Sequence, residues 1–263
     1  MSDKATKHEV KACFLCPTTR RHEIIDRDEK EVIYYMDGEG HTQTTDRKDR
    51  TARMYNLHLI TEADCDDHGM PILDPVDIDL EGISLVSFKT KQPAEKAGAH
   101  YFLEDYAFDN TWRHPERYAE ALKRFAFTLT PDFSCFLEMP SPMQRWNVYR
   151  SRALGRIWQD AGLTVVPTVT WGLEDTYLFA FDGIPEASTL AFSSVGLMRG
   201  KEGKAIFRDG AEAACEYLEP RKIICYGTPC EFDSNGAAVV WVKSEMQERF
   251  DQLKAQREMK EVC

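Results

Sequence analysis

From residue 70 onward, short apolar runs alternate with stretches of helical periodicity, and this alternation limits the fold more than any other feature of the chain. Ser84–Phe88, His100–Leu103, Phe125–Thr130, Leu163–Thr170, Thr189–Ser193, Lys222–Tyr226 and Ala237–Val242 read as strands. These runs are almost continuously apolar, as expected of strands covered on both faces. Between them, Pro115–Phe125 places Tyr118, Ala119 and Leu122 on one helical face, and Phe207–Leu218 reads as a further helix. The alternation predicts a mostly parallel sheet in an α/β fold. Six or seven strands in about 175 residues suit a partial or open (β/α)-barrel-like core better than a complete eightfold barrel. A doubly wound sheet is the alternative. The chain has no G-x-G-x-x-G after its first strand and no phosphate-loop motif, which excludes the usual dinucleotide and NTPase signatures.

The best-marked helix opens at Ser141. Serine as N-cap, Pro142 at the first helical position and Gln144 three residues on predict a capping box. Trp146, Tyr149, Ala153, Ile157 and Ala161 recur at helical spacing, and Gly162 supplies the stop. A charged helix closes the chain, giving an organisation of residues 1–69, an α/β core over 70–243 and a terminal helix over 244–263. Met246, Phe250 and Leu253 share one face of that helix, a candidate homodimer contact or a face that folds back on its own domain.

Parallel α/β folds bind ligands at the carboxyl ends of their strands. Those ends carry Glu104 and Asp105, Asp132 with Ser134, Thr170 with Trp171, and Ser193 with Ser194. Asp132, Glu104 and Asp105 are the candidate catalytic residues, because paired carboxylates do acid–base work when their surroundings separate their pKa values. Thr170, Trp171, Ser134, Ser193 and Ser194 are candidate ligand contacts, with Trp171 available to stack a sugar or base. Arg150, on the 141–161 helix, is a candidate anion contact. Each residue also has a plainer reading: aspartate after proline caps turns, serine after a strand bonds nearby backbone, and a tryptophan covers a sheet end. No G-x-S-x-G or H-E-x-x-H motif is present.

The first 69 residues follow a different logic. Cys13 and Cys16 form a C-x₂-C pair, and after 48 intervening residues Cys65 and His68 form C-x₂-H. Three thiolates and an imidazole at such spacing suit a tetrahedral structural Zn²⁺ with a closed coordination sphere. His22 and His58 are alternative fourth ligands, and coincidence is the plain alternative. Apolar stretches at Glu31–Met36 and Tyr55–Ile60 lead toward a zinc-ribbon-like module. The other five cysteines are scattered, as packing cysteines are.

Arg47, Lys48, Arg50 and Arg53 make a local basic loop, a candidate nucleic-acid contact or a solvated loop. The net charge of −11 argues against a whole-surface nucleic-acid binder. Residues 1–69 themselves hold 11 basic and 15 acidic side chains. No apolar run spans a bilayer and the N-terminus lacks a signal-peptide core, so no membrane association and a cytoplasmic location are expected.

A set of ordered segments is more specific than any single motif. It comprises Pro71–Pro75, Phe102–Tyr106 with Trp112, Leu129–Ser134, Trp146–Arg150, Val166–Trp171, Phe181–Pro185 and Ser193–Gly196. On these, residues from about Gly69 to Gly227 resemble an uncharacterised family of phage and mobile-element proteins, domain-of-unknown-function family 4417. The resemblance implies a shared fold and a phage or mobile-element setting, and no activity. Two functions are expected from the whole. In the first, the core binds or processes a small polar ligand, a nucleotide or sugar derivative, at its strand ends. In the second, a non-enzymatic adaptor engages a host protein or nucleic acid through a structural zinc module.

Overall fold

A computed structural model describes residues 51–198 and 200–261, together with four short strands among the first fifty residues; of residue 252 and of residues 255–261 it describes the backbone alone. The chain divides into Met1–Ile72 and Leu73–Cys263.

In the first unit, β1 (His8–Val10) pairs antiparallel with β2 (His22–Ile24), and β3 (Tyr35–Met36) with β4 (Thr42–Gln43). Two 3₁₀ turns, Leu57–Leu59 and Glu62–Asp64, precede a tight reversal in which Cys65 and Pro71 form an antiparallel bridge. The Asp66 side chain accepts from the His68 and Met70 N–H groups, and Gly69 takes the positive φ of 80° that the reversal needs.

The second unit is α/β and its strands are parallel. One sheet has the order β5 (Ser84–Ser87), β6 (Ala97–His100), β7 (Phe127–Leu129), β8 (Val165–Val166). The other has the order β11 (Ala238–Val242), β10 (Lys222–Tyr226), β9 (Thr189–Ser193). A single parallel bridge, Thr168 with Ala191, links the chain beyond β8 to β9. Leu85, Phe102, Phe127, Leu129, Val166, Ala191, Ile224 and Tyr226 form one buried cluster, so residues from both sheets meet in a common core. The segment before β5 lines the other end of the strands. Val76 O accepts from Thr189 N at 2.7 Å, the Lys222 ammonium donates to Ile78 O at 2.8 Å, and Val76, Ile78 and Leu80 pack on the core.

Among its described residues the second unit has six α-helices: α1 (Asp109–Arg113), α2 (Pro115–Leu122), α3 (Ser141–Asp160), α4 (Tyr177–Ala180), α5 (Lys201–Leu218) and α6 (Glu245–Glu261). Helix α5 buries Phe207, Ala211, Ala214, Cys215 and Leu218, a single stripe at helical spacing. It stops where Glu219 turns left-handed at φ 45° and Pro220 follows.

Several local expectations need correction. The strand expected at His100–Leu103 ends where it was expected to begin, because Ala97, Gly98 and Ala99 form it. Small residues conceal it from an apolar pattern, yet the structure requires them. The Phe127 ring of β7 lies on Gly98, and a Cβ there would sit 2.2 Å from it. Helix α2 ends at Leu122 rather than Phe125. Ser141 is the first helical residue of α3, not its cap; Pro140 occupies the cap position and no side chain bonds it. The Gln144 amide instead donates to Phe136 O at 2.8 Å and fastens the loop before the helix. Gly162 does end α3, with φ 84°. On α6, Met246, Phe250 and Leu253 are exposed rather than folded back.

Candidate functional site

Asp132 lies three residues beyond the end of β7. Pro131 and Phe133, both buried, fix it in the turn that leads to α3. The Thr170 hydroxyl, four residues past β8, donates to Asp132 Oδ1 at 2.5 Å. No other donor in the described residues bonds this carboxylate. Burial pushes the Asp132 carboxyl up to about 6, against the Thr170 hydrogen bond, and the neighbouring Asp105 pushes it the same way. The side chain remains partly exposed.

Asp105 opens the 3₁₀ turn Asp105–Ala107 beyond β6. It accepts from both Ser134 N–H (3.1 Å) and Ser134 hydroxyl (2.8 Å). Ser134 O in turn accepts the Asn147 amide of α3 at 2.7 Å. One turn later on α3, Arg150 donates to Asn147 Oδ1 and, at 3.2 Å, to Asp109 of α1. Its guanidinium lies 3.8 Å over the Phe133 ring. The structure therefore brings Asp132, Thr170, Asp105 and Ser134 together, and holds them from behind through Asn147 and Arg150. Arg150 is largely buried and already engaged with protein acceptors, so its place is that of a brace. Burial lowers its pKa, and Asp109 and Asp105 oppose that.

The other strand-end residues have different partners. Glu104 is exposed beside Asp105. Ser193 accepts from Val195 N at 3.2 Å, and the buried Ser194 hydroxyl donates to Thr228 O at 2.8 Å, tying the end of β9 to the chain beyond β10. Trp171 is committed to packing: its indole N–H donates to Ile206 O at 3.0 Å, and its ring meets Phe192 edge-on. Gly210 of α5 makes room for it, since a Cβ there would approach the indole nitrogen to 2.0 Å.

Two further residues, one bracing the cluster and one apart from it, carry no mark in the sequence analysis. Asn147 could have been found by its i,i+3 spacing from Arg150 on one helical face. His100 is fully buried at the end of β6, with Nδ1 accepting from Phe102 N and its ring against Phe102 and Tyr226. That bond places the neutral ring's proton on Nε2, which lies 3.6 Å from Glu245 Oε1 at the start of α6, longer than a hydrogen bond. Burial lowers the His100 pKa to about 4. Nothing in the spacing of the sequence marks this residue.

Of the expected metal ligands, Cys65 and His68 flank the tight reversal described above. The partly buried Cys65 thiol donates to Thr61 O at 3.5 Å, and burial together with Asp64, Asp66 and Glu62 pushes it up to about 12. Cys13 and Cys16 lie outside the described residues, as do Arg47, Lys48 and Arg50 of the basic loop; Arg53 is described and exposed, and the alternative ligand His22 lies in β2. Among the described residues no three His, Cys, Asp or Glu side chains are grouped as a metal site. None of the described helices is long and apolar enough to cross a membrane.

The second unit is thus an α/β domain with a braced carboxylate cluster beyond its parallel strands. The chain belongs to the domain-of-unknown-function family DUF4417, whose family model matches residues 64–242. It is 44% identical over 135 residues to the Gene 1 protein of Mycobacterium phage L5, a match covering 51% of this chain and 59% of that protein. It is also 44% identical over 128 residues to the Gene 1 protein of Mycobacterium phage D29, covering 49% and 47%. The chain spans about half the length of these curated relatives. No solved structure matches it.

Proposed function

We propose that this phage-family protein binds and processes a small polar ligand at the strand ends of its α/β unit, with Asp132 as the acid–base group. The observation that carries this reading is the Asp132 carboxylate itself. It is held by Thr170, left with an unbonded oxygen, and raised into the range where a carboxyl exchanges protons near neutral pH. Asp105, fixed by Ser134, is the neighbouring charge that helps raise it, and Glu104 stands at the exposed rim. The common core shared by the two sheets supports an open barrel-like arrangement, which would gather these ends around one cleft. Carboxylates outnumber free cations in the cluster, so the ligand is recognised through donors: the hydroxyls of a sugar or the N–H edge of a nucleobase, in a nucleotide or sugar derivative. Isothermal titration of the chain with nucleosides, nucleotides and sugar derivatives should find a ligand with Kd below about 1 mM. Asp132→Asn should weaken it at least about tenfold. Equal affinity in the variant, or no ligand in the panel, would remove the proposal.

The adaptor reading rests on the tight reversal that carries Cys65 and His68. A backbone reversal of this kind suits a ligand-bearing knuckle, and with Cys13 and Cys16 it would complete a structural Zn²⁺ site. Thiolate ligation must displace the Cys65 proton, so zinc uptake is expected to release protons. Elemental analysis of purified protein should give roughly one zinc per chain, lost in Cys16→Ser. A zinc-free wild-type protein refolded with excess Zn²⁺ would count against the module.

A further inference from the structure

A concave feature lies away from the strand ends. Helices α4 and α5, with the turn before α4, enclose an open groove of about 740 Å³, and no residue of the Asp132 cluster lines it. Its floor is aromatic. Tyr177 stacks on Phe181 with ring centroids 5.5 Å apart, and Phe181 meets Tyr217 at 5.7 Å. Its rim carries Glu174 and Glu216, both exposed. The negative field reaches the floor: burial raises the Tyr177 hydroxyl pKa, and Asp209 and Glu174 raise it further.

Two large side chains at the groove remain in water, Leu178 at 80% exposure and Tyr217 at 64%. Phe181, by contrast, is buried and orders the rings beside it. Exposed apolar side chains beside a concavity mark an interaction surface, because their burial is available to a partner. A small cation would engage the carboxylates and leave Leu178 uncovered. A peptide chain would cover both. The ring faces and carboxylates select the cation: a guanidinium is planar, stacks on an aromatic face and bonds a carboxylate through two N–H groups, whereas an ammonium is a point charge.

We propose that the groove between α4 and α5 docks an arginine-bearing peptide segment of a partner protein, with the guanidinium on Tyr217 between Glu216 and Glu174 and an apolar neighbour on Leu178.

The test is fluorescence anisotropy of the full chain with a labelled nonapeptide of alternating arginine and leucine. Lysine and glutamate versions of the peptide serve as comparators. Because the chain is acidic overall, Glu216→Lys is paired with a charge-matched variant elsewhere, Glu120→Lys at an exposed position of α2. Saturable binding is expected, tighter for arginine than for lysine and absent for glutamate. Glu216→Lys and Tyr217→Ala should each weaken it at least about tenfold, with Glu120→Lys within about twofold. Both groove positions are exposed, so unchanged circular dichroism and melting are expected and isolate the effect to binding. Equal loss in Glu216→Lys and Glu120→Lys would reduce the interaction to net charge and overturn the proposal. So would equal binding of the lysine peptide, or no saturable binding.

Discussion

Replacing Arg152 by alanine is expected to cost about 4 kcal/mol of folding stability, the largest effect of any single polar substitution in the second unit. Arg152 is a charged residue at 1% exposure. Its guanidinium donates to Ala180 O at 2.8 Å, Asp182 O at 3.0 Å and Thr168 O at 3.1 Å. These carbonyls come from the chain beyond β8 and from the end of α4 and the residues just after it, so one side chain of α3 ties two separate segments together. Burial pushes its pKa down to about 10, and it remains charged at neutral pH. Alanine would leave three carbonyls without their donor beside a void the size of the lost side chain. Lysine keeps the charge and loses the fork, and should cost about 2 kcal/mol. Urea denaturation at pH 7 measures both. A wild-type midpoint for Arg152→Ala would show that these segments are held by other means.

Asp132→Asn is expected to do the opposite: lose ligand and gain stability. The folded-state carboxyl ionises near 6 instead of 3.8, so the folded chain holds this proton more tightly than the unfolded chain does. Stability from this group is therefore complete below about pH 4 and falls as pH rises through 6, by up to about 3 kcal/mol. Asparagine still accepts from Thr170 and carries no charge to desolvate. The variant should match the wild type near pH 4 and exceed it at pH 8 by up to about 3 kcal/mol, read from paired urea titrations. A gap that does not change with pH would mean that the carboxylate is not held against its preference. Residues kept at the expense of stability are characteristic of functional sites.

Much of this architecture was legible in the chain. Long apolar strands such as Thr189–Ser193 and the face of α5 are unambiguous because their burial is nearly complete and their periodicity follows from it. The strand Ala97–His100 was hidden, because its small residues are dictated by the Phe127 ring across the sheet and not by any local preference. The cap of α3 falls at Pro140 rather than Ser141, and Gln144 is drawn to Phe136 O, a partner outside the helix.

The candidate site divides along the same line. Sequence order together with the rule that ligands lie at strand ends placed Asp105, Asp132, Ser134 and Thr170, since the ends of parallel strands are brought to one side by the topology itself. Which of those residues touch was decided only in three dimensions. The Asp132–Thr170 and Asp105–Ser134 pairs join residues 38 and 29 positions apart. Arg150 and Trp171, which sequence offers as ligand contacts, are drawn into the protein by Asp109 and Asn147 and by the space at Gly210. The sequence by itself determined the α/β class, the family and the short list of strand-end groups, because these follow from local periodicity and ordered motifs. The tertiary structure alone decided which carboxylate is raised toward neutrality, because desolvation depends on everything packed around a group and not on its neighbours in the chain.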